Sequence, residues 1–172
     1  MKNVKLYNVG WFPIWLLFLW PEFWFISLPV NFIIDSIVLV IAFAVFKVEK
    51  RKDTYLKSIK HVWGYGFVAD FIGAIVMMIV SFGLYGGKET EIGLALMMNP
   101  AQNKIALLWT MLAIIIAAVF IYRFDSKYAF NNTNMSEKQK KKVSLMMAIF
   151  TAPYTMLIPV GYFYYVIWYF CY

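Results

Sequence analysis

A carboxylate set in the middle of a long apolar run constrains this chain more than any other feature. Residues 62–85, VWGYGFVADFIGAIVMMIVSFGLY, form such a run. About 20 apolar residues at 1.5 Å rise span the roughly 30 Å hydrocarbon layer of a bilayer, so the stretch predicts a membrane-spanning helix. Gly66, Asp70, Gly73, Met77 and Ser81 follow one another at steps of four or three. On a helix these positions make one face. Gly66 and Gly73 let a neighbouring helix come close, which predicts a buried packing face rather than a lipid-facing one. Asp70 must then find a proton, a hydrogen-bond partner or a cation, because a bare carboxylate there is expensive.

Composition agrees with a bilayer setting. The chain has 172 residues, 63% of them hydrophobic and 15% charged, whereas soluble domains run at about 45–50% apolar and about 25% charged. Several continuous apolar runs argue for helical spans, and the absence of alternation argues against a barrel. The expected fold is therefore all-α, an integral membrane bundle of five transmembrane helices forming a single domain over 1–172. The net charge of +7 resides between apolar runs, which points to membrane orientation and not to nucleic acid. Cys171 is the single cysteine, so neither an intrachain disulfide nor a thiolate metal site is available. Lys2 and Lys5 precede an apolar stretch, but Trp11, Pro13, Trp15 and Pro21-Glu22 do not make a cleavable signal, and retention is expected.

In chain order the expected spans are 6–20, 30–47, 62–85, 100–122 and 143–165. The segment PEFWFISLP, 21–29, reads as a tight turn at headgroup level, with a proline at each end. Residues 47–61 read as a basic loop whose second half leads helically into the third span, with Tyr55, Leu56 and Ile59 on the membrane surface. Gly86-Gly87 ends that span, and LALMM, 94–98, is too short to cross. The fifth span holds Pro153, Pro159 and Gly161, which predicts a kinked or broken helix.

Lys and Arg fix the orientation. The N-terminus carries two, residues 47–61 six and residues 123–142 six, against Lys88 and Lys104 on the other side. Fourteen against two predicts a multi-pass protein of the cell membrane with its N-terminus cytoplasmic and its C-terminus outside. The sequons at Asn131 and Asn134 then face the cytoplasm and imply no glycosylation. The lysines at 138, 140, 141 and 142 predict attraction to anionic lipids at the cytoplasmic face, on the order of 1 kcal/mol per charge.

Other motifs have ordinary readings. Asn99-Pro100-Ala101 matches the signature tripeptide of aquaporins, where it occurs twice in a six-span fold; a single copy is better read as a helix cap followed by proline at the first helical position. His61 is the lone histidine, so no metal site is expected, no nucleophile–histidine–acid constellation can be assembled, and no phosphate-cradling loop accompanies Gly86-Gly87-Lys88. Phe67–Asp70 (FVAD) does not match the Gly-x-Gly-Asp motif of presenilin-type proteases. No catalytic residue, cofactor or enzymatic activity is expected.

Asp35 and Asp70 remain. Asn31 and Asp35 lie four residues apart and share a face of the second span. The expected spans put Asp35 about 5 Å outside mid-membrane and Asp70 about 4–5 Å inside it, with the carboxylates roughly 13 Å apart and titrating almost independently. Asp35, Asp70, Asn31 and Ser81 are the candidate proton, cation or polar-core residues; Gly66 and Gly73 serve packing; Pro153 and Pro159 break the last helix. Lys5-Leu6-Tyr7-Asn8, the segments FPIWLL (12–17) and NFIIDS (31–36), and Thr151-Ala152-Pro153-Tyr154 resemble a family of small polytopic membrane proteins of low-GC Gram-positive bacteria. The resemblance implies a bacterial membrane protein and brings no activity with it. Two functions fit: a small proton- or cation-linked transporter or channel-like protein, and a non-catalytic accessory or membrane-interaction protein in which the acids only clamp helices. A homo-oligomer or a membrane-protein partner is compatible with both.

The charge distribution is directly testable. A reporter active only outside the cytoplasm should be active when fused after Tyr172 and silent when inserted within 131–136. The reverse pattern would overturn the topology.

Overall fold

The computed structural model describes residues 13–17, 19, 21–162 and 165, and those residues are helical or irregular, with no strand among them. The expected first span and the aromatic tail lie largely outside the described residues; a single turn, α1 (Ile14–Leu17), is seen from the former. Among the described residues three helices are long and apolar enough to cross a membrane: Trp24–Val45, Arg51–Leu84 and Lys104–Ala129.

The first of these belongs to α2, Pro21–Val45. The predicted turn at 21–29 is thus helical, and the second span starts well before residue 30. Pro21 occupies the first turn, where a missing N–H costs nothing. Pro29 lies inside the helix and removes one backbone bond; beside it the Trp63 indole donates to the Leu28 carbonyl at 2.9 Å, which anchors the loosened turn. α2 ends without glycine. Val48 N–H returns to the Phe43 carbonyl at 3.0 Å and Lys47 N–H to Ala44 at 3.4 Å, with Lys47 at φ 52, an arrangement of the Schellman type.

α3, Arg51–Met78, continues as a π-helical turn, Ile79–Leu84. The basic loop expected over 47–61 therefore shrinks to a turn, because Arg, Lys and Leu are good helix formers and Asp53 in the first turn pairs with Lys57 at 2.8 Å. Tyr55 and Ile59 pack inside rather than on the membrane surface: Ile59 is buried, and the Tyr55 hydroxyl donates to Ser36 Oγ at 3.0 Å. Gly86 and Gly87, at φ 64 and 62, turn the chain after the π segment. The short α4, Glu91–Met98, is capped by Thr90, whose hydroxyl accepts from Gly93 N–H at 3.0 Å.

Asn99 and Pro100 open a 3-10 turn, Pro100–Gln102, in which the Asn99 side chain accepts from Ala101 N–H. The long helix itself starts later than expected. α5, Lys104–Phe124, is capped by Asn103 and runs on as a second π turn, Asp125–Ala129. α6, Glu137–Phe150, opens with a capping box between Ser136 and Gln139. At its first residue, Lys140 holds the Glu137 carboxyl below the usual carboxylate range through a hydrogen bond and its charge; the pair therefore contributes above the unfolded pKa and fades as pH falls through the folded one. The expected helix over 143–165 stops at Phe150. Pro153 follows two bent residues, a 3-10 turn covers Tyr154–Leu157, and Pro159 precedes a last short turn. Proline disfavours α geometry at the residue before it, which accounts for the break.

α3 is the central element, packed on α2 and α5, while α6 leans on both α2 and α5. Two apolar clusters result. At the basic end Leu39, Phe43, Val62, Ile121, Phe130 and Met147 pack together; at the other end Trp15, Met77, Leu96, Ile114 and Met156 do so. The Trp15 indole donates to the Leu96 carbonyl at 3.2 Å. Large apolar side chains such as Ile33, Ile37, Leu108 and Ile115 stand exposed on the outside, far more than a soluble monomer tolerates.

Glycines differ sharply in what surrounds them. A β-carbon on Gly93 would overlap the Gly87 carbonyl, whereas one on Gly64 meets nothing within 4 Å. Gly93→Ala should destabilise by about 1–3 kcal/mol, and Gly64→Ala should be neutral or stabilise by up to about 1 kcal/mol. Thermal unfolding in detergent distinguishes them, and equal effects would show that the loop relaxes freely.

Candidate polar core between the helices

The face read from the third span is buried throughout: Gly66, Asp70, Gly73, Met77 and Ser81 all lie inside. It serves two neighbours. A β-carbon on Gly73 would sit 3.3 Å from Ala117 Cβ and 3.5 Å from the Ala113 carbonyl, so α3 meets α5 there through small residues only. At Gly66 the neighbour is α2, because a β-carbon would lie 3.4 Å from Asp35 Oδ2.

One turn along, Asn31 Nδ2 donates to Asp70 Oδ2 at 3.3 Å. The faces carrying Asn31, Asp35, Gly66 and Asp70 are thereby in contact. Asp35 and Asp70 are each 5% exposed. Their separation and order differ from the expectation. The Gly66–Asp70 spacing puts the carboxylates about one turn apart along α3, roughly 6 Å, not 10 Å in height. Asp70 also lies nearer the non-basic end than Asp35, the reverse of the expected order. The expected depths came from spans 30–47 and 62–85; α2 begins earlier, so Asp35 falls at the middle of Trp24–Val45. At this range and an effective dielectric near 20, two negative charges repel by about 2–3 kcal/mol, not the weak interaction expected at roughly 13 Å.

A third acid completes the set. Asp125, three residues beyond the expected fourth span of 100–122, is 0% exposed and opens the π turn after α5. The Tyr65 ring packs against Phe124 at 5.6 Å and Tyr128 at 5.8 Å, which puts Asp125 near the Tyr65–Gly66 level where Asp35 docks. The charges of Arg123 and Lys127 disguise Asp125 in the sequence, but it lies four and eight residues beyond the buried Ile121 and Ala117. That spacing is the signal that reveals it.

Hydrogen bonding of the three acids is sparse. An ionised carboxylate accepts up to about four bonds. Asp70 Oδ1 and both oxygens of Asp125 have no partner among the described residues, and a buried polar atom in that state is unusual. Ser144 on α6, which packs against the Asp125 turn, also keeps a buried hydroxyl without a partner. Ser81 is likewise buried and unpartnered, but at 11 residues beyond Asp70 it stands roughly 16 Å further along the helix and is not part of the set. Pro153 and Pro159 lie in the broken segment whose Met156 touches the Gly73 face. His61 is exposed and stacks beside Tyr65. No three His, Cys, Asp or Glu among the described residues are grouped to hold a metal ion.

The arrangement gathers buried carboxyl groups from α2, α3 and the turn after α5, with a carboxamide and hydroxyls nearby. Compared with known proteins, the chain matches no family model, no curated protein and no solved structure.

Proposed function

We propose that this chain is a small bacterial integral membrane protein that passes a proton or a monovalent cation between intramembrane aspartates. The supporting observation is the surplus of acceptors. A clamp needs each buried carboxylate bonded across a helix interface, yet three oxygens on Asp70 and Asp125 have no donor among the described residues. Sites that load and unload must leave such valences open. Asp70 stands toward the non-basic end and Asp35 and Asp125 about one turn nearer the basic end, so the set offers acids at two levels along the seam.

In this reading the protein has five spans, the N-terminus is cytoplasmic and the basic end faces the cytoplasm. Two features support that count. Trp15 packs in the cluster opposite the basic end, as expected of a first helix that has crossed by then. The broken segment after α6 reaches the same cluster through Ala152 and Met156, as expected of a chain that is crossing again. No step in this reading requires an enzyme or a cofactor.

The alternative is the accessory protein, favoured by the Asn31–Asp70 bond, which ties α2 to α3. Asp→Asn separates the two, since it keeps shape and hydrogen bonding but abolishes titration. Asp35→Asn, Asp70→Asn and Asp125→Asn should each stay folded and lose at least about 10-fold of a pH- or cation-driven flux in proteoliposomes, or about 1.4 kcal/mol of barrier. If the clamp is the whole role, the Asn variants are silent, while Asp70→Leu destabilises by about 1–2 kcal/mol. A triple Asn variant with full flux, or a wild-type protein with none, refutes the transport reading.

A further inference from the structure

The basic end carries a cleft that the aspartates do not explain. It has a volume of about 390 Å³ and lies where the C-terminus of α2 meets the N-terminus of α6. Lys47, Lys138 and Lys142 stand around it, Phe46 and Val45 form its apolar side, and no acidic residue lines it. Lys140 is committed to Glu137 at 2.9 Å, whereas the three lining lysines have no ion pair among the described residues. The Lys142 ammonium lies 5.7 Å over the Phe46 ring, and Gln139 Nε2 donates to the Phe46 and Lys47 carbonyls at 3.3 and 3.4 Å. These contacts fasten the two sides of the cleft together and occupy the carbonyls that would repel an anion.

Depth identifies the occupant. Val45 is the last residue of the Trp24–Val45 helix, so the lysines stand at headgroup level. Ile41 is one turn back from Val45 on α2, and Leu145 and Ile149 are three and seven residues on from Lys142 on α6; all are exposed. α2 ends at the cleft and α6 begins there, so both apolar tracks run from it into the bilayer, side by side because the helices are in contact. A cationic rim above a two-helix apolar groove matches a phosphate carrying acyl chains, and a free anion would leave the groove bare.

We propose that this cleft is a binding site for an anionic phospholipid, its phosphate between Lys47, Lys138 and Lys142 and its chains along Ile41, Leu145 and Ile149. The proposal depends on the chain spanning the bilayer and not on any role of the aspartates.

The test is native mass spectrometry of the full-length, delipidated protein in detergent, titrated with phosphatidylglycerol, with phosphatidylcholine, and with phosphatidylglycerol plus inorganic phosphate. Wild type should take up one phosphatidylglycerol at least 10-fold more tightly than phosphatidylcholine. Lys138→Gln with Lys142→Gln should weaken it about 30-fold, or about 2 kcal/mol for the two charges. Lys52→Gln with Lys60→Gln, which removes the same charge elsewhere on the basic end, should leave the preference intact, as should Lys138→Arg with Lys142→Arg. Equal binding of the two lipids, retention of the preference by the Lys138/Lys142 glutamine variant, equal loss in the Lys52/Lys60 variant, or displacement by millimolar phosphate would each overturn it. Wild-type-like flux in the aspartate variants bears on the transport reading and leaves this site standing.

Discussion

Gly66 has no side chain, and the placement of the polar groups in the bundle follows from that. Because α3 presents only backbone at this level, Asp35 of α2 can lie against it and Asn31 can reach Asp70 one turn away. Gly73 does the same on the side of α5, where the Ala117 methyl and the Ala113 carbonyl complete a close contact. Dispersion over such close surfaces is what holds helices together when lipid removes the hydrophobic incentive. The acids occupy the seam thus formed, between an apolar cluster at each end.

Much of this was legible because it rests on periodicity. The steps of three and four from Gly66 to Ser81 describe a face whatever the helix ends turn out to be, and all five residues are buried. The glycines at 86 and 87 and the cap at Asn99 are local chemistry, and local chemistry is readable. Helix ends were less so. Hydropathy reports where a chain leaves the apolar layer, not where its backbone stops being helical, so α3 began eleven residues earlier than the apolar run and α2 nine residues earlier. Pro29 reads as a boundary in the sequence, yet the Trp63 indole supports the backbone beside it and the helix runs through.

Asp125 shows the same confusion in sharper form. Its neighbours Arg123 and Lys127 look like the edge of a membrane, yet a helix turns each side chain in its own direction, and Asp125 continues the inward stripe of Ala117 and Ile121. The depth order of Asp35 and Asp70 was reversed for a related reason. Depth was measured from apolar ends, while the register between α2 and α3 is set by which side chains leave room for which. Contact decides register, and contact is not written in one segment alone.

One further consequence concerns α3 itself. From Arg51 to Leu84 it is one unbroken rod of 34 residues without proline, roughly 51 Å long at 1.5 Å per residue. The hydrocarbon layer accounts for about 30 Å of that, so about 21 Å, roughly four turns, extends beyond the apolar zone, most of it at the charged end. The turns at that end are packed and not free, with Thr54, Ser58 and Ile59 buried there. The rod is therefore gripped along much of its length, and its neighbours hold Gly66 and Asp70 at a fixed height in the seam.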